Sequence, residues 1–141
     1  MILNRKSVEL LAPAGNWDAL VAAVEAGADA VYLGGKHFSM RMHRNKETNF
    51  DDEMLKKAVE YTHAHGVQLY ITLNNLISEE EVEPLKKYLL YLNEIRPDAI
   101  LVQDFAVLEL TRELGVHIPL HTSVMMNTHN EHAIKKLKEY G

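Results

Sequence analysis

The sequence predicts an α/β fold in which five βα units follow one another along a parallel sheet. Three observations carry this. Five short aliphatic or β-branched runs recur along the chain, each is followed by a polar turn, and each turn opens a stretch whose apolar residues recur at helical spacing. The runs cover residues 8–12, 30–33, 68–73, 99–102 and 119–122. The first helix, 17–26, is opened by the turn Pro13-Ala14-Gly15 with Asn16 as its cap, and Gly27 stops it. The second starts near Asp51, carries Leu55, Ala58, Val59 and Thr62 on one face and ends at Gly66, with His63 and His65 favourably placed near its negative end. Ser78 and Glu81 form a capping box for the third, but Pro84 falls a turn later and predicts a kink or restart at Glu83-Pro84. Beyond it the face Leu85, Tyr88, Leu89, Leu92 continues to Ile95. The fourth helix covers 104–114 with Gly115 after it, and the fifth about 131–140.

Repeated strand–helix units need crossover connections and give a parallel sheet. At roughly 28 residues per unit, eight units would need about 225 residues, near the ~250 of a (β/α)₈ barrel. The expectation is therefore one domain over residues 1–141: the first five units of a truncated TIM-barrel-like fold, strand order 1-2-3-4-5. The alternative is a flavodoxin-like open sheet of order 2-1-3-4-5 with helices on both faces. A barrel segment keeps its helices on one face and exposes the other, so it implies a homo-oligomer formed through that interior surface or an edge strand.

Composition narrows the chemistry. The chain has 15 Lys and Arg against 20 Asp and Glu, a net charge of −5, and 47% hydrophobic residues, as expected of an ordinary soluble domain. The acidic balance opposes global attraction to nucleic acid while leaving room for a local basic patch. With no cysteine, the chain supplies no disulfide, thiolate nucleophile, Cys-type zinc site or Cys-held iron–sulfur cluster. No apolar run approaches the ~20 residues of a membrane helix. Glu9 and Pro13 interrupt the stretch after the basic N-terminal residues, so no signal peptide is expected and the location expected is cytoplasmic.

In such folds the working residues sit on loops leaving the C-terminal ends of the strands. The substrate- or anion-binding candidates there are Asn16 after the first strand, Gly34, Gly35, Lys36 and Arg41 after the second, Asn74 after the third, Gln103 after the fourth, and Asn127 after the fifth. Lys36, Arg41, Arg44 and Lys46, with His37 and His43, precede the next acid at Glu47, and the two glycines let backbone N–H groups approach an anion closely. His121 and Ser123, two apart, share one face of a continuing strand, and with Asp104 they resemble a hydrolytic trio. Each also has a structural explanation: Asp104 as helix cap, Ser123 as turn former, His121 as strand-end donor. His121, His129 and His132 match no metal motif, and no metal is expected. Trp17, Met125 and Met126 are packing residues.

Several blocks resemble a known family. Glu9-Leu10-Leu11-Ala12-Pro13-Ala14-Gly15-Asn16, Gly27-Ala28-Asp29-Ala30-Val31-Tyr32-Leu33-Gly34-Gly35, Phe38-Ser39-Met40-Arg41 and Asn49-Phe50 resemble the N-terminal signature of the U32 peptidases, the collagenase-like proteases. Pro97-Asp98-Ala99-Ile100-Leu101-Val102-Gln103-Asp104 and the segment from Pro119 to Asn130 are similar to that family's fourth and fifth strands. The sequence departs at Met125, where the family usually has Gln, and the family's cysteine-bearing part lies outside these residues. The resemblance implies a TIM-barrel-like domain in a family of mixed activity, with peptidases beside proteins needed for hydroxylating transfer RNA, ribosomal RNA or ubiquinone precursors. It implies prephenate as the oxygen source of the hydroxylating members, some of which carry an iron–sulfur cluster on those downstream cysteines. The expectation is that the intact relative takes part in prephenate-dependent RNA hydroxylation, with RNA or a small dicarboxylate such as prephenate as partner. This chain alone is expected to be inactive and without a cofactor. The alternatives are a peptidase acting on collagen-like peptides and a non-catalytic, assembling half-barrel.

Overall fold

The structure, a computed structural model, describes residues 8–40 and 50–140. Five strands, β1 (Leu11–Pro13), β2 (Ala30–Gly34), β3 (Gln68–Leu73), β4 (Ala99–Val102) and β5 (Leu120–Thr122), alternate with helices α1 (Trp17–Glu25), α2 (Asp52–Ala64), α3 (Val82–Ile95), α4 (Phe105–Glu113) and α5 (Glu131–Leu137). The strands form one parallel sheet in the order β1-β2-β3-β4-β5. That order is the one expected of a partial barrel, and it excludes the flavodoxin-like alternative, in which the first strand lies between the second and third.

Side-chain alternation divides the sheet into two environments. Val31 and Leu33 of β2, Leu69, Ile71 and Leu73 of β3, and Ile100 and Val102 of β4 pack in one buried cluster with Leu20 of α1, Leu55 and Val59 of α2, Leu85, Leu89 and Leu92 of α3, and Val107 and Leu108 of α4. The intervening residues Ala30, Tyr70 and Ala99 form a second, smaller cluster with Tyr32 and Leu101. The helices therefore share a single face of the sheet, and the opposite face is the barrel-interior side. Burial beneath the helices is what holds the units together, at about 1.5–3 kcal/mol for each fully buried aliphatic side chain.

Helix starts follow the expected caps. Asn16, Asp51 and Asp104 each accept a backbone N–H of the first turn, from Ala19, Met54 and Ala106 respectively. The Pro84 discontinuity appears as a 3₁₀ turn, Glu79–Glu81, that passes directly into α3 and places Pro84 in its first turn, where a missing N–H costs nothing. β1 departs from expectation, beginning at Leu11 and not at Val8. The Leu10 carbonyl still accepts the Asp29 and Ala30 N–H groups, but the Leu10 N–H is taken by the Asp29 carboxylate at 2.7 Å, and the side chains of Val8 and Leu10 are exposed, so burial does not favour a longer strand there. Gly35 lies against the core: a Cβ there would stand 2.6 Å from the Tyr88 hydroxyl and 3.1 Å from Leu55 Cδ1.

On the interior face the Tyr70 hydroxyl, with its one hydrogen shared between two acceptors, lies 2.8 Å from Glu9 Oε2 and 2.9 Å from Gln68 Oε1, and His121 meets its ring edge-on at 4.9 Å. Burial, reinforced by the Glu9 carboxylate, pushes the Tyr70 hydroxyl up to about 12. The folded chain thus holds this proton more tightly than the unfolded chain does. The associated stability is intact below about pH 10, the ordinary tyrosine value, and is lost as pH rises from there through about 12. Urea unfolding is expected to show a fall in midpoint between about pH 10 and about pH 12 that is shallower in Tyr70→Phe; an identical slope in both proteins would contradict this assignment.

Candidate functional site

The C-terminal tips of β1 to β5 open on the interior face around a cavity of about 400 Å³. Its lining comes from every unit: Pro13 at the end of β1 and Gly15 after it, Gly34 at the end of β2 with Ser39 and Met40 after it, Thr72 in β3 and Asn74 after it, Leu101 in β4, and Thr122 in β5 with Ser123 after it. Parallel pairing with consecutive strand order is what brings these tips to one rim.

Asn74 joins the two sides of the rim. Its Oδ1 accepts the Met40 N–H at 3.3 Å, and its Nδ2 donates to Ser123 Oγ at 3.5 Å, so one carboxamide spans the β2 and β5 loops. One residue pair deeper, the Ser39 and Thr72 hydroxyls are 3.1 Å apart, and Thr72 donates to the Leu33 carbonyl. Gly34 faces them closely: a Cβ there would lie 2.7 Å from Ser39 Oγ and 3.0 Å from Thr72 Oγ1. Ser39 and Thr72 were not singled out by sequence, yet the spacing of two through Tyr70, Thr72 and Asn74 is the signal that places them on one face. Ser39 has no comparable local signal.

The remaining candidates divide. Gly34, Asn74 and Ser123 line the cavity, whereas Asn16 and Asp104 spend their side chains on helix caps. Both Asp104 oxygens are engaged, Oδ1 by the Ala106 N–H and Oδ2 by the Ile77 N–H. Ser123 is buried and its Oγ accepts the Met125 N–H, capping a 3₁₀ turn, Val124–Met126. His121 packs against Tyr70. Among the described residues no hydrogen bond links His121, Ser123 and Asp104, so the geometry does not assemble the hydrolytic trio.

Lys36 lies 3.8 Å from Asp51 Oδ2 and does not line the cavity, and Gly35 packs toward the core. Gln103 carries a buried Oε1 without a partner among the described residues. Asn127 sits outside the cavity in the left-handed conformation that ends the 3₁₀ turn, and its carbonyl meets His129 Nδ1 at 2.6 Å. Arg41, Arg44, Lys46 and His43 lie outside the described residues. His121, His129 and His132 do not come together, and no cluster of three potential His, Asp or Glu ligands occurs among the described residues. Within those same residues no helix is long and apolar enough to cross a membrane.

Because both Asp104 oxygens serve backbone N–H groups, Asp104→Ala is expected to lower stability by about 1–3 kcal/mol, read as a reduced urea midpoint. Unchanged stability would make that carboxylate a chemical candidate again.

Comparison with known proteins places this geometry. The family model for Peptidase family U32 matches residues 15–141. The chain is similar to a "tRNA hydroxylation protein P" of Helicobacter pylori, at 38% identity over 87% of this chain and 29% of that protein. It is similar to a ribosomal-RNA 5-hydroxycytidine synthase of Escherichia coli, at 33% identity over 100% of this chain and 20% of that protein. A "Collagenase" of Porphyromonas gingivalis is 32% identical over 94% of this chain and 31% of its own length. This chain thus spans less than a third of each of these relatives. The solved structure of a U32 peptidase superposes over 100% of this chain and 60% of its own, with a TM-score of 0.69 at 12% identity, a likeness of fold. With a family match over most of its length and a sheet that agrees, the chain belongs to Peptidase family U32.

Proposed function

We propose that the protein acts in hydroxylation of transfer or ribosomal RNA, with the strand-tip cavity forming part of its substrate face. The observation that carries this is the rim itself: one cavity lined by all five units, polar at its mouth and crossed by Asn74, in a chain similar to RNA-hydroxylating proteins over most or all of its length. A peptidase reading has the collagenase-like relative in its favour. The geometry favours RNA chemistry over hydrolysis, because Ser123 is held as a turn cap and Asp104 as a helix cap, leaving neither to activate a nucleophile.

In this reading a small dicarboxylate such as prephenate is the oxygen-supplying co-substrate, gripped by the basic segment that begins at Lys36 and includes Arg41. An iron–sulfur cluster does not fit the residues present, since the chain has no cysteine, and no step is assigned to one. The location that accords with RNA as substrate is the cytoplasm.

The test is expression of a full-length RNA-hydroxylating relative in which this chain replaces the matching segment, in a bacterial strain lacking its own RNA-hydroxylating proteins and with this chain alone as the inactive control, followed by mass spectrometry of nucleosides from its tRNA and rRNA. A nucleoside gaining one oxygen is the expected result. Soluble, folded protein without that product would overturn the proposal.

A second copy of the chain is the proposed partner at the edge strand β1, beside which Val8 and Leu10 are exposed. Light scattering is expected to give a mass above that of one chain; a monomer at all concentrations would remove this partner.

A further inference from the structure

The cavity at the strand tips has a chemical character of its own. Among the described residues its polar lining consists of Tyr32, Ser39, Thr72, Asn74, Thr122 and Ser123, all uncharged, and no Lys, Arg, His, Asp or Glu joins them. A buried anion requires a cationic or strongly donating partner to offset its lost hydration. Among the described residues this lining provides no cation, and what it does provide suits an uncharged ligand. The volume of about 400 Å³ falls within the range of small-ligand sites, and Leu11, Met40 and Leu101 supply apolar walls beside the Tyr32 side chain.

The hydrogen-bonding groups that remain free are specific. A carboxamide has two N–H donors and two lone pairs on its oxygen. Asn74 uses one lone pair for the Met40 N–H and one hydrogen for Ser123 Oγ, which leaves one donor and one acceptor on a side chain whose orientation those two bonds define. Ser123 Oγ accepts from Asn74 and from the Met125 N–H, while its own hydrogen has no acceptor among the described residues. The rim thus offers an adjacent acceptor and donor plus one hydroxyl donor, above apolar walls. A planar heterocycle with apolar faces and alternating donors and acceptors along one edge matches this set.

We propose that the cavity takes a single nucleobase of RNA, turned out of its stack, with its edge read by Asn74 and Ser123. The proposal rests on the RNA-hydroxylation reading above and deepens it: chemistry on a base requires that the base leave the stack, and an uncharged pocket admits the base while its phosphates stay outside. Stacking against Tyr32 supplies affinity that hydrogen bonds to a solvated edge would not.

The test is a titration of the isotopically labelled chain, followed by NMR, with uridine, cytidine, inorganic phosphate and malonate. At least one nucleoside is expected to shift the Asn74 side-chain amide and the Ser123 backbone resonance saturably, whereas phosphate and malonate leave them in place. Asn74→Asp keeps an acceptor for the Met40 N–H but replaces the free donor by a charge, and is expected to weaken nucleoside binding at least about tenfold. Ser123→Ala, the milder change should Asn74→Asp fail to fold, is expected to weaken it several-fold. No shift with either nucleoside, shifts with phosphate or malonate instead, or binding indifferent to both substitutions would each overturn the proposal. Nucleoside binding without any hydroxylated RNA in cells would sink the activity but not the base pocket; hydroxylated RNA without nucleoside binding would sink the pocket alone.

Discussion

Parallel pairing of consecutive strands is the constraint on which the rest of this structure depends. Once β1 to β5 lie side by side and point the same way, alternate side chains must divide between a helix-covered face and an interior face. The first face takes the long aliphatic residues and the second takes Ala30, Tyr70 and Ala99, with polar residues toward the tips. The cavity exists because all five chain exits then lie at one end of the sheet. A single inversion of strand order would separate β1's contribution, Pro13 and Gly15, from Thr72 and Asn74.

The rim owes its shape to small residues and shared hydroxyls. Gly34 leaves the space that Ser39 and Thr72 occupy, and Asn74 then ties the loop after β2 to the loop after β5. The same economy explains the fate of the charged candidates. Carboxylates at strand ends in this chain cap helices or hold loops, as Asp104 does for α4 and for Ile77, and as Asp98 does in accepting the Leu69 N–H at 2.7 Å and facing His63 Nε2 at 2.9 Å. Buried backbone donors must find acceptors, and these carboxylates meet that need before any chemistry is considered.

Family membership and geometry bear on different questions. Peptidase family U32 groups proteins named for RNA hydroxylation with one named a collagenase, so the family by itself does not choose between them. The proposed reading turns on side-chain engagement: a serine and an acid that serve as caps are poor parts for hydrolysis, whereas a cavity whose described lining is uncharged, with a half-free carboxamide, suits recognition.

Local physics made the elements legible from sequence. Caps at Asn16, Asp51 and Asp104, the stop at Gly66, and the apolar faces of α2 and α3 depend on residues within a turn or two, so their positions were readable in one dimension. Strand order came from the regular repetition of βα units. What tertiary structure alone decided was which polar groups meet. Asn74 reaches Met40 and Ser123 across 34 and 49 residues, Ser39 reaches Thr72 across 33, and the Asp29 carboxylate takes the Leu10 N–H across 19. Those partners are set by sheet register and loop closure, and a hydrogen bond between distant residues leaves no periodicity in the chain to announce it.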